Sequence, residues 1–130
     1  MKNLLILFAL MLGLNFSSNA QTQSATGVKT ISAQEFKQKA DSGKYPTIDI
    51  RTAREFEAGH IKGAINIDFY KKDFYSKMEA YKNKPFIYYC RSGNRTGQAK
   101  RKFNQMKFKE GYELMRGIIS WKRAGFGFVK

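Results

Sequence analysis

The fold is decided by one stretch of this 130-residue chain, Pro85-Phe86-Ile87-Tyr88-Tyr89-Cys90-Arg91-Ser92-Gly93-Asn94-Arg95-Thr96. The apolar run over 85–89 predicts a strand that is buried on both faces, as is usual in parallel sheets. Thr96 is predicted to begin a helix, whose inner face would consist of Ala99, Phe103 and Met106. Cys90 therefore lies between the end of a buried strand and the start of a helix.

Strand-like and helix-like segments alternate on both sides of this stretch. Capping boxes at 32–35 and 52–55 predict two helix starts, and Gly43 and Gly59 can end those helices. Further strands are predicted at 47–50, 64–67 and 112–115, and further helices at 74–81 and 118–124. This alternation predicts an α/β domain with a largely parallel sheet flanked by helices on both faces. Ligands of such sheets bind beyond the carboxyl ends of the strands, which is where Cys90 lies.

The N-terminus has the three parts of a secretory signal peptide. Lys2 supplies a positive charge, Leu4 to Leu14 is an uncharged apolar run, and Ser18-Asn19-Ala20 offers a cleavage site with small residues. The apolar run is shorter than the roughly 20 residues that span a bilayer, although an uncleaved anchor remains an alternative. We therefore expect residues 1–20 to direct export to the periplasm or the medium, with no membrane span after cleavage. Residues 21–27 would form a linker, and residues 28–130 a single domain.

The charge of the chain favours anionic partners. Lys and Arg number 24 against 10 Asp and Glu, which gives a formal net charge of +14. Removing residues 1–20 takes away Lys2 and no acid, which leaves 23 − 10 = +13. Small anions, an acidic protein partner or anionic lipid would all suit this charge. Nucleic acid is not expected, because no binding motif is present. The basic run 100–102 is interpreted as a solvated helix face, with docking of an acidic partner or an anionic membrane as the alternative.

Cys90 is the single cysteine of the chain. It is a buried inert thiol, an intermolecular partner or a reactive thiol. Its neighbours favour the reactive thiol, because Gly93 allows a tight loop whose N–H groups turn inward and join the following helix N-terminus in an anion site. Arg91 and Arg95 add two positive charges to the same turn. These features favour thiolate over thiol, and they indicate a nucleophile for an anionic substrate.

Two enzyme chemistries use a cysteine in such a loop. Cysteine phosphatases have a Cys-x5-Arg loop, whereas this chain has the shorter Cys90-x4-Arg95. The shorter loop should form a tighter cup, which suits a persulfide sulfur better than a phosphoryl group. Phosphoryl transfer also needs an acid for the leaving oxygen, and the sequence offers no clear one. Sulfur transfer is therefore favoured. A phosphatase or arsenate reductase, and a slowly reacting persulfide carrier that serves a partner protein, remain alternatives.

Three stretches of the sequence together form a specific set of motifs. They are Ile48-Asp49-Ile50-Arg51 with Glu55-Phe56, Gly59 to Ile67, and Tyr89 to Ala99. On these motifs the chain resembles a known family, the single-domain rhodaneses, over roughly residues 28–128. With its signal peptide the chain is most similar to the small periplasmic members. Gly117 is followed by Ile118, where the family often has a second glycine, and Trp121 matches.

The resemblance implies that Cys90 carries a persulfide. It also implies that the loop formed by Arg91, Ser92, Gly93, Asn94 and Arg95 binds the transferred sulfur and the oxyanion of the donor. The expected partners are a small anionic donor such as thiosulfate and a thiol or cyanide acceptor. No metal and no organic cofactor is implied.

Three further polar residues have two interpretations each. In the family motif, His60 belongs to a turn that supports the fold, and the alternative is a Cys–His pair. Asp49 and Arg51 are interpreted as paired supports of neighbouring loops, and the alternative is that they line the active-site face.

Overall fold

The computed structural model describes residues 26–130. The predicted signal peptide and residues 21–25 of the predicted linker lie outside them. No helix among the described residues has the length and apolar character needed to cross a membrane. The strands are β1 (Gly27–Ile31), β2 (Thr47–Asp49), β3 (Ile65–Asn66), β4 (Phe86–Tyr89) and β5 (Glu110–Leu114). The helices are α1 (Ala33–Asp41), α2 (Ala53–Ala58), α3 (Phe74–Met78), α4 (Asn94–Gln105) and α5 (Gly117–Arg123), and a 3₁₀ turn spans Glu79–Tyr81.

The strands form one sheet with the order β1-β5-β4-β2-β3, in which all neighbours pair in parallel. The α/β prediction is confirmed. All carboxyl ends meet at the same edge, and Cys90 follows the central strand β4 there. Strand β1 was not predicted, because only Val28 and Ile31 are buried in it and Lys29 and Thr30 are exposed. Such a half-polar edge strand gives a weak apolar signal.

Strand β4 contributes to two cores, one on each face of the sheet. Its four side chains are fully buried, and successive side chains point to opposite faces. Phe86 and Tyr88 pack with α3 and α4, whereas Ile87 and Tyr89 pack with α1 and α5. Burial of each such side chain contributes about 1.5–3 kcal/mol. This confirms the prediction of a strand buried on both faces and holds the position of Cys90 firmly.

Both predicted capping boxes begin helices. Thr52 accepts from the Glu55 N–H, and the Glu55 carboxylate accepts from the Thr52 N–H, which completes the box of α2. In α1, Ser32 accepts from the Glu35 N–H, but the Glu35 carboxylate accepts from the Ser32 hydroxyl instead of its backbone. Gly59 follows the last residue of α2, as predicted.

Helix α4 begins two residues earlier than predicted, at Asn94 instead of Thr96. Gly93 is the N-cap residue and has a left-handed φ of 97°, which lets the chain turn into a helix immediately. The Gly97 N–H donates to the Gly93 carbonyl at 3.0 Å and closes the first turn. The loop after Cys90 is therefore only three residues long before the helix starts.

Candidate active site

The Cys90 side chain lies at the base of this loop and is 1% exposed. The Gly93 N–H donates to Sγ at 3.1 Å, and the Thr96 Oγ1 lies 3.6 Å from Sγ. A hydrogen bond from an amide to the sulfur stabilises negative charge on it. The backbone of the loop therefore donates a hydrogen bond to the sulfur of Cys90.

Thr96 is a neighbour of the thiol that the sequence interpretation missed. It is fully buried, and its hydroxyl donates to the Gly93 carbonyl at 3.2 Å. The sequence interpretation treated Thr96, six residues after Cys90, only as the first residue of a helix. Its contacts link the sulfur, the loop and α4 in one hydrogen-bonded group.

The backbone of the loop is held from the other side by the start of α5. The Ile118 N–H donates to the Cys90 carbonyl at 2.9 Å, and the Ile119 N–H donates to the Arg91 carbonyl at 3.3 Å. Gly117 has a left-handed φ of 58°, and a Cβ there would overlap the Cys90 carbonyl oxygen. The single glycine thus permits this close approach, and Ile118 in the next position is buried in the core.

The loop offers its backbone and its charged side chains to solvent. Arg91, Ser92 and Asn94 are exposed, and Gly93 is half-buried. No side chain in the described part of the chain caps the N-terminus of α4, a helix of 12 residues. The N–H groups of an uncapped helix start, together with the helix dipole, favour an anion at this position.

Arg95 binds a carboxylate on a neighbouring helix. Its Nη1 and Nη2 donate to the two carboxylate oxygens of Glu55 at 2.8 and 3.0 Å, and its guanidinium lies 5.5 Å from the centroid of the Tyr70 ring. The hydrogen bond from Arg95 lowers the pKa of Glu55 to about 2. The structure thus places Arg95 at the flank of the loop. Glu55 was recognised as a capping residue and as part of the family motif, but its bond to Arg95 was not predicted, because nothing in the sequence connects positions 40 residues apart.

Asp49 and Arg51 form a buried ion pair, with exposures of 0% and 5%. Arg51 donates through Nη2 to the Asp49 carboxylate at 2.7 Å and to the Gly59 carbonyl at 2.6 Å. The amide of Asn66 donates to the carbonyls of both residues. The pair and its backbone therefore connect the end of β2 to the turn after α2 and to the last residue of β3.

His60 lies in the turn after α2. Its Nδ1 is 2.9 Å from the Phe56 carbonyl oxygen, and because that oxygen can only accept, Nδ1 carries the hydrogen and donates. Its ring stacks on the Phe56 ring with the two centroids 3.7 Å apart. The backbone of His60 pairs with Val129 through two hydrogen bonds of 2.8 Å. These contacts fix the turn and the C-terminal segment, which is the supporting role that the motif implied.

An open cleft borders the loop on the side of Arg91. It has a volume of about 490 Å³ and lies between α2 and α5. This volume lies within the range of small-molecule sites, roughly 300–1,000 Å³. Residues 26–130 contain no group of His, Cys, Asp and Glu side chains placed to hold a metal ion. The cleft is lined by Arg51, Glu55, Ala58, Arg91, Ile118, Ile119 and Lys122.

Comparison with known proteins gives matches over most of the described chain. The family model of the rhodanese-like domain matches residues 32–124. The thiosulfate sulfurtransferase GlpE of Coxiella burnetii is 32% identical over 74 residues, which are 57% of this chain and 68% of that protein. YrkF of Bacillus subtilis, named as a candidate sulfur carrier, is 30% identical over 101 residues. That match covers 77% of this chain and about half of YrkF, 54%.

Solved structures show the same fold. The crystal structure of a rhodanese-related protein from Thermoplasma volcanium superposes with a TM-score of 0.66 at 24% identity. The superposition covers 78% of this chain and 97% of that one. At this identity the likeness establishes the architecture, and the chemistry has to be argued from the site itself.

Proposed function

This chain belongs to the family of rhodanese-like domains, and we propose that it is a sulfurtransferase that carries sulfur as a persulfide on Cys90. The observation that carries the proposal is the hydrogen bond of 3.1 Å from the Gly93 N–H to the Cys90 sulfur. It lies in a loop that ends at an uncapped helix and that has an exposed arginine, Arg91, directly after the cysteine. The nucleophilic sulfur of Cys90 and the N–H groups that favour an anion therefore belong to the same loop and helix start.

In the first half-reaction, the Cys90 thiolate attacks the outer sulfur of thiosulfate or a similar sulfane donor. A bond forms between the two sulfur atoms, the sulfur–sulfur bond of the donor breaks, and sulfite leaves with the electron pair. The amides at the start of α4 and the charge of Arg91 stabilise the departing anion. Arg95 is paired with the Glu55 carboxylate at the flank of the loop, so this pair adds no net charge to the anion site.

In the second half-reaction, a thiolate or cyanide attacks the outer sulfur of the persulfide. The sulfur–sulfur bond on Cys90 breaks, and the Cys90 thiolate leaves with its electron pair. The product is a persulfide of the acceptor or thiocyanate. The two steps balance without a metal or an organic cofactor.

Intact-protein mass spectrometry after brief exposure to thiosulfate tests this proposal. We expect a gain of roughly 32 Da, one sulfur atom, on the wild type and none on Cys90→Ser. Turnover with cyanide should disappear in Cys90→Ser. A wild type that gains no mass from any sulfane donor would contradict the proposal, and so would a Cys90→Ser variant that still turns over.

A second candidate is a persulfide carrier that delivers sulfur to a partner protein. Two observations favour it, the 1% exposure of Cys90 and the likeness to YrkF. A sheltered persulfide should be isolable by gel filtration, and it should react slowly with small acceptors. Fast multiple turnover with cyanide would contradict this candidate and support the enzyme.

The phosphatase alternative has less support. The loop is one residue shorter than a phosphatase loop, and the Arg95 guanidinium binds Glu55. We expect no hydrolysis of p-nitrophenyl phosphate and no arsenate reduction. Measurable hydrolysis that is lost in Cys90→Ser would restore the phosphatase alternative.

We also propose that the chain is exported and that cleavage follows Ala20. The mass of the protein recovered from the periplasm or the medium should then correspond to a chain that begins at Gln21. Recovery of the full-length chain from the cytosol alone would contradict this proposal.

A further inference from the structure

The cleft beside the loop has an excess of two positive charges. Its lining contains three cations, Arg51, Arg91 and Lys122, and one carboxylate, Glu55. Arg51 is paired with Asp49, and Glu55 is paired with Arg95. The cations of Arg91 and Lys122 are left without a carboxylate within 4 Å among residues 26–130.

These two cations differ from the paired ones in exposure. Arg91 and Lys122 are exposed. Lys122 Nζ lies 4.5 Å from the centroid of the Phe128 ring, a contact that leaves its hydrogen-bond donors free for an anion. Arg91 directly follows Cys90 in the sequence and lines the cleft. The N–H of Ile118, another residue of the cleft, donates to the Cys90 carbonyl at 2.9 Å, so the cleft borders the backbone that carries the reacting sulfur. The cleft therefore offers two anion positions, one beside the loop and one on α5.

The wall between these positions is apolar. Ile118 and Ile119 line the cleft on the α5 side, and Ala58 lines it on the α2 side. The backbone N–H groups of Ile118 and Ile119 are already bonded to the loop carbonyls. Ile118 is only 3% exposed, so the hydrocarbon surface of the cleft comes from the half-buried Ile119 and the exposed Ala58. A short aliphatic chain that carries carboxylates matches this combination of surfaces.

We propose that the cleft selects the sulfur acceptor, and that this acceptor is a small thiol bearing carboxylate groups. Its carboxylates contact Arg91 and Lys122, its aliphatic part lies against Ile119 and Ala58, and its sulfur reaches the Cys90 persulfide. The inference rests on the proposed sulfurtransferase function and specifies the acceptor of its second half-reaction. A volume of about 490 Å³ suits such a molecule.

The second half-reaction is measured alone, with protein that has first been loaded with sulfur. Second-order rate constants for loss of the persulfide are determined with mercaptosuccinate, 3-mercaptopropionate, 2-mercaptoethanol and cysteamine, which carry from two negative charges to one positive charge. Each thiol is compared between Lys122→Glu and wild type, so that the different nucleophilicities of the thiols cancel. Arg91→Gln is tested in the same way.

For Lys122→Glu we expect the rate with mercaptosuccinate to fall about fivefold and the rate with 2-mercaptoethanol to stay unchanged. The rate with cysteamine should rise, and 1 M salt should remove most of these differences. The matched control is Lys84→Glu, the same change of charge at an exposed position before β4, at the opposite edge of the sheet. This control should leave all four rates unchanged.

Two outcomes overturn the inference. One is an equal effect of Lys122→Glu on all four thiols, and the other is an equal effect of Lys84→Glu. Either result would leave an acidic protein as the better match for the net charge of the chain. Failure of the wild type to form any persulfide would instead contradict the proposed function, so the two failures are distinguishable by the mass measured before the acceptor is added.

Discussion

Two arginine–carboxylate pairs lie at the same edge of the sheet, and they differ in burial and in the number of residues that separate the partners in the sequence. In the pair of Asp49 and Arg51, both side chains are at most 6% exposed, and the partners are two residues apart. In the pair of Arg95 and Glu55, the exposures are 11% and 29%, and the partners are 40 residues apart. The pair of Asp49 and Arg51 therefore supports the local fold, whereas the pair of Arg95 and Glu55 connects α2 to the helix start beside the reactive loop.

The difference shows that burial decides what a pair does. A sealed pair has lost its hydration, so each charge depends on its partner and on the surrounding backbone. A pair in contact with water is partly compensated by solvent, so it can be broken at small cost. The buried pair of Asp49 and Arg51 therefore suits a structural support, and the partly exposed pair of Arg95 and Glu55 suits a position beside an anion site.

The largest effect is expected for Asp49→Asn. The charge of Arg51 would remain buried without a counter-charge, and we expect a loss of about 3–5 kcal/mol in the free energy of unfolding. Urea denaturation followed by circular dichroism measures this loss. In Asp49→Asn combined with Arg51→Met, part of the stability should return. A loss below about 1 kcal/mol in the single variant would show that the pair is not a support.

A smaller effect is expected for Glu55→Gln at neutral pH. The amide keeps some of the hydrogen bonding with Arg95 and loses the charge, so we expect the free energy of unfolding to fall by about 1 kcal/mol. The same urea titration gives the comparison with Asp49→Asn. If Glu55→Gln and Asp49→Asn lost the same free energy of unfolding, the distinction between a buried and a partly exposed pair would be wrong.

The stability of the protein at acid pH gives a separate test of the pair of Glu55 and Arg95. The pKa of Glu55 is about 2, lowered by the hydrogen bond from Arg95 from the ordinary value of 4.5. A carboxylate with a lowered pKa in the folded state stabilises the protein above its unfolded pKa, and this contribution is lost as the pH falls through the folded pKa. The difference in stability between wild type and Glu55→Gln should therefore shrink between pH 4.5 and 2. A constant difference across this range would mean that the charge of Glu55 does not contribute.

The smallest effect is expected from salt. Raising the salt to 1 M should reduce the difference between wild type and Glu55→Gln by a few tenths of a kcal/mol, because exposed charges are screened. The difference for Asp49→Asn should stay the same, because the buried pair is screened much less. Urea titrations at two salt concentrations give both values. Equal sensitivity of the two pairs to salt would contradict the comparison.

The sequence predicted those parts of the molecule that depend on neighbouring residues. The buried strand, the cysteine at its end and the glycine in the loop all follow from a single stretch, and the capping boxes mark where α1 and α2 begin. The start of α4 was placed two residues late, because the left-handed backbone of Gly93 allowed the helix to begin immediately after the loop.

Those parts of the site that depend on distant residues were missed. The bond of Arg95 to Glu55 requires that α2 packs beside the loop, and the close approach of Gly117 to Cys90 requires that α5 returns to it. Both contacts arise from the order of the strands, which local patterns do not encode. The Thr96 hydroxyl could have been found, since it lies in the first turn of the helix that follows the cysteine loop.

The position of β1 has a consequence for when the protein can fold during its synthesis. Within residues 26–130, strand β1 pairs with β5 alone, so its first ladder pair, Gly27 with Glu110, can form only after Glu110 has been synthesised. β4, the partner of β2 in the centre of the sheet, also lies in the later part of the chain. A ribosome delivers the N-terminus first, and contacts between residues so far apart must close a long loop before they contribute stability. The sheet of the described residues is therefore completed only after Leu114 has been made, and until then β1 lacks its partner β5.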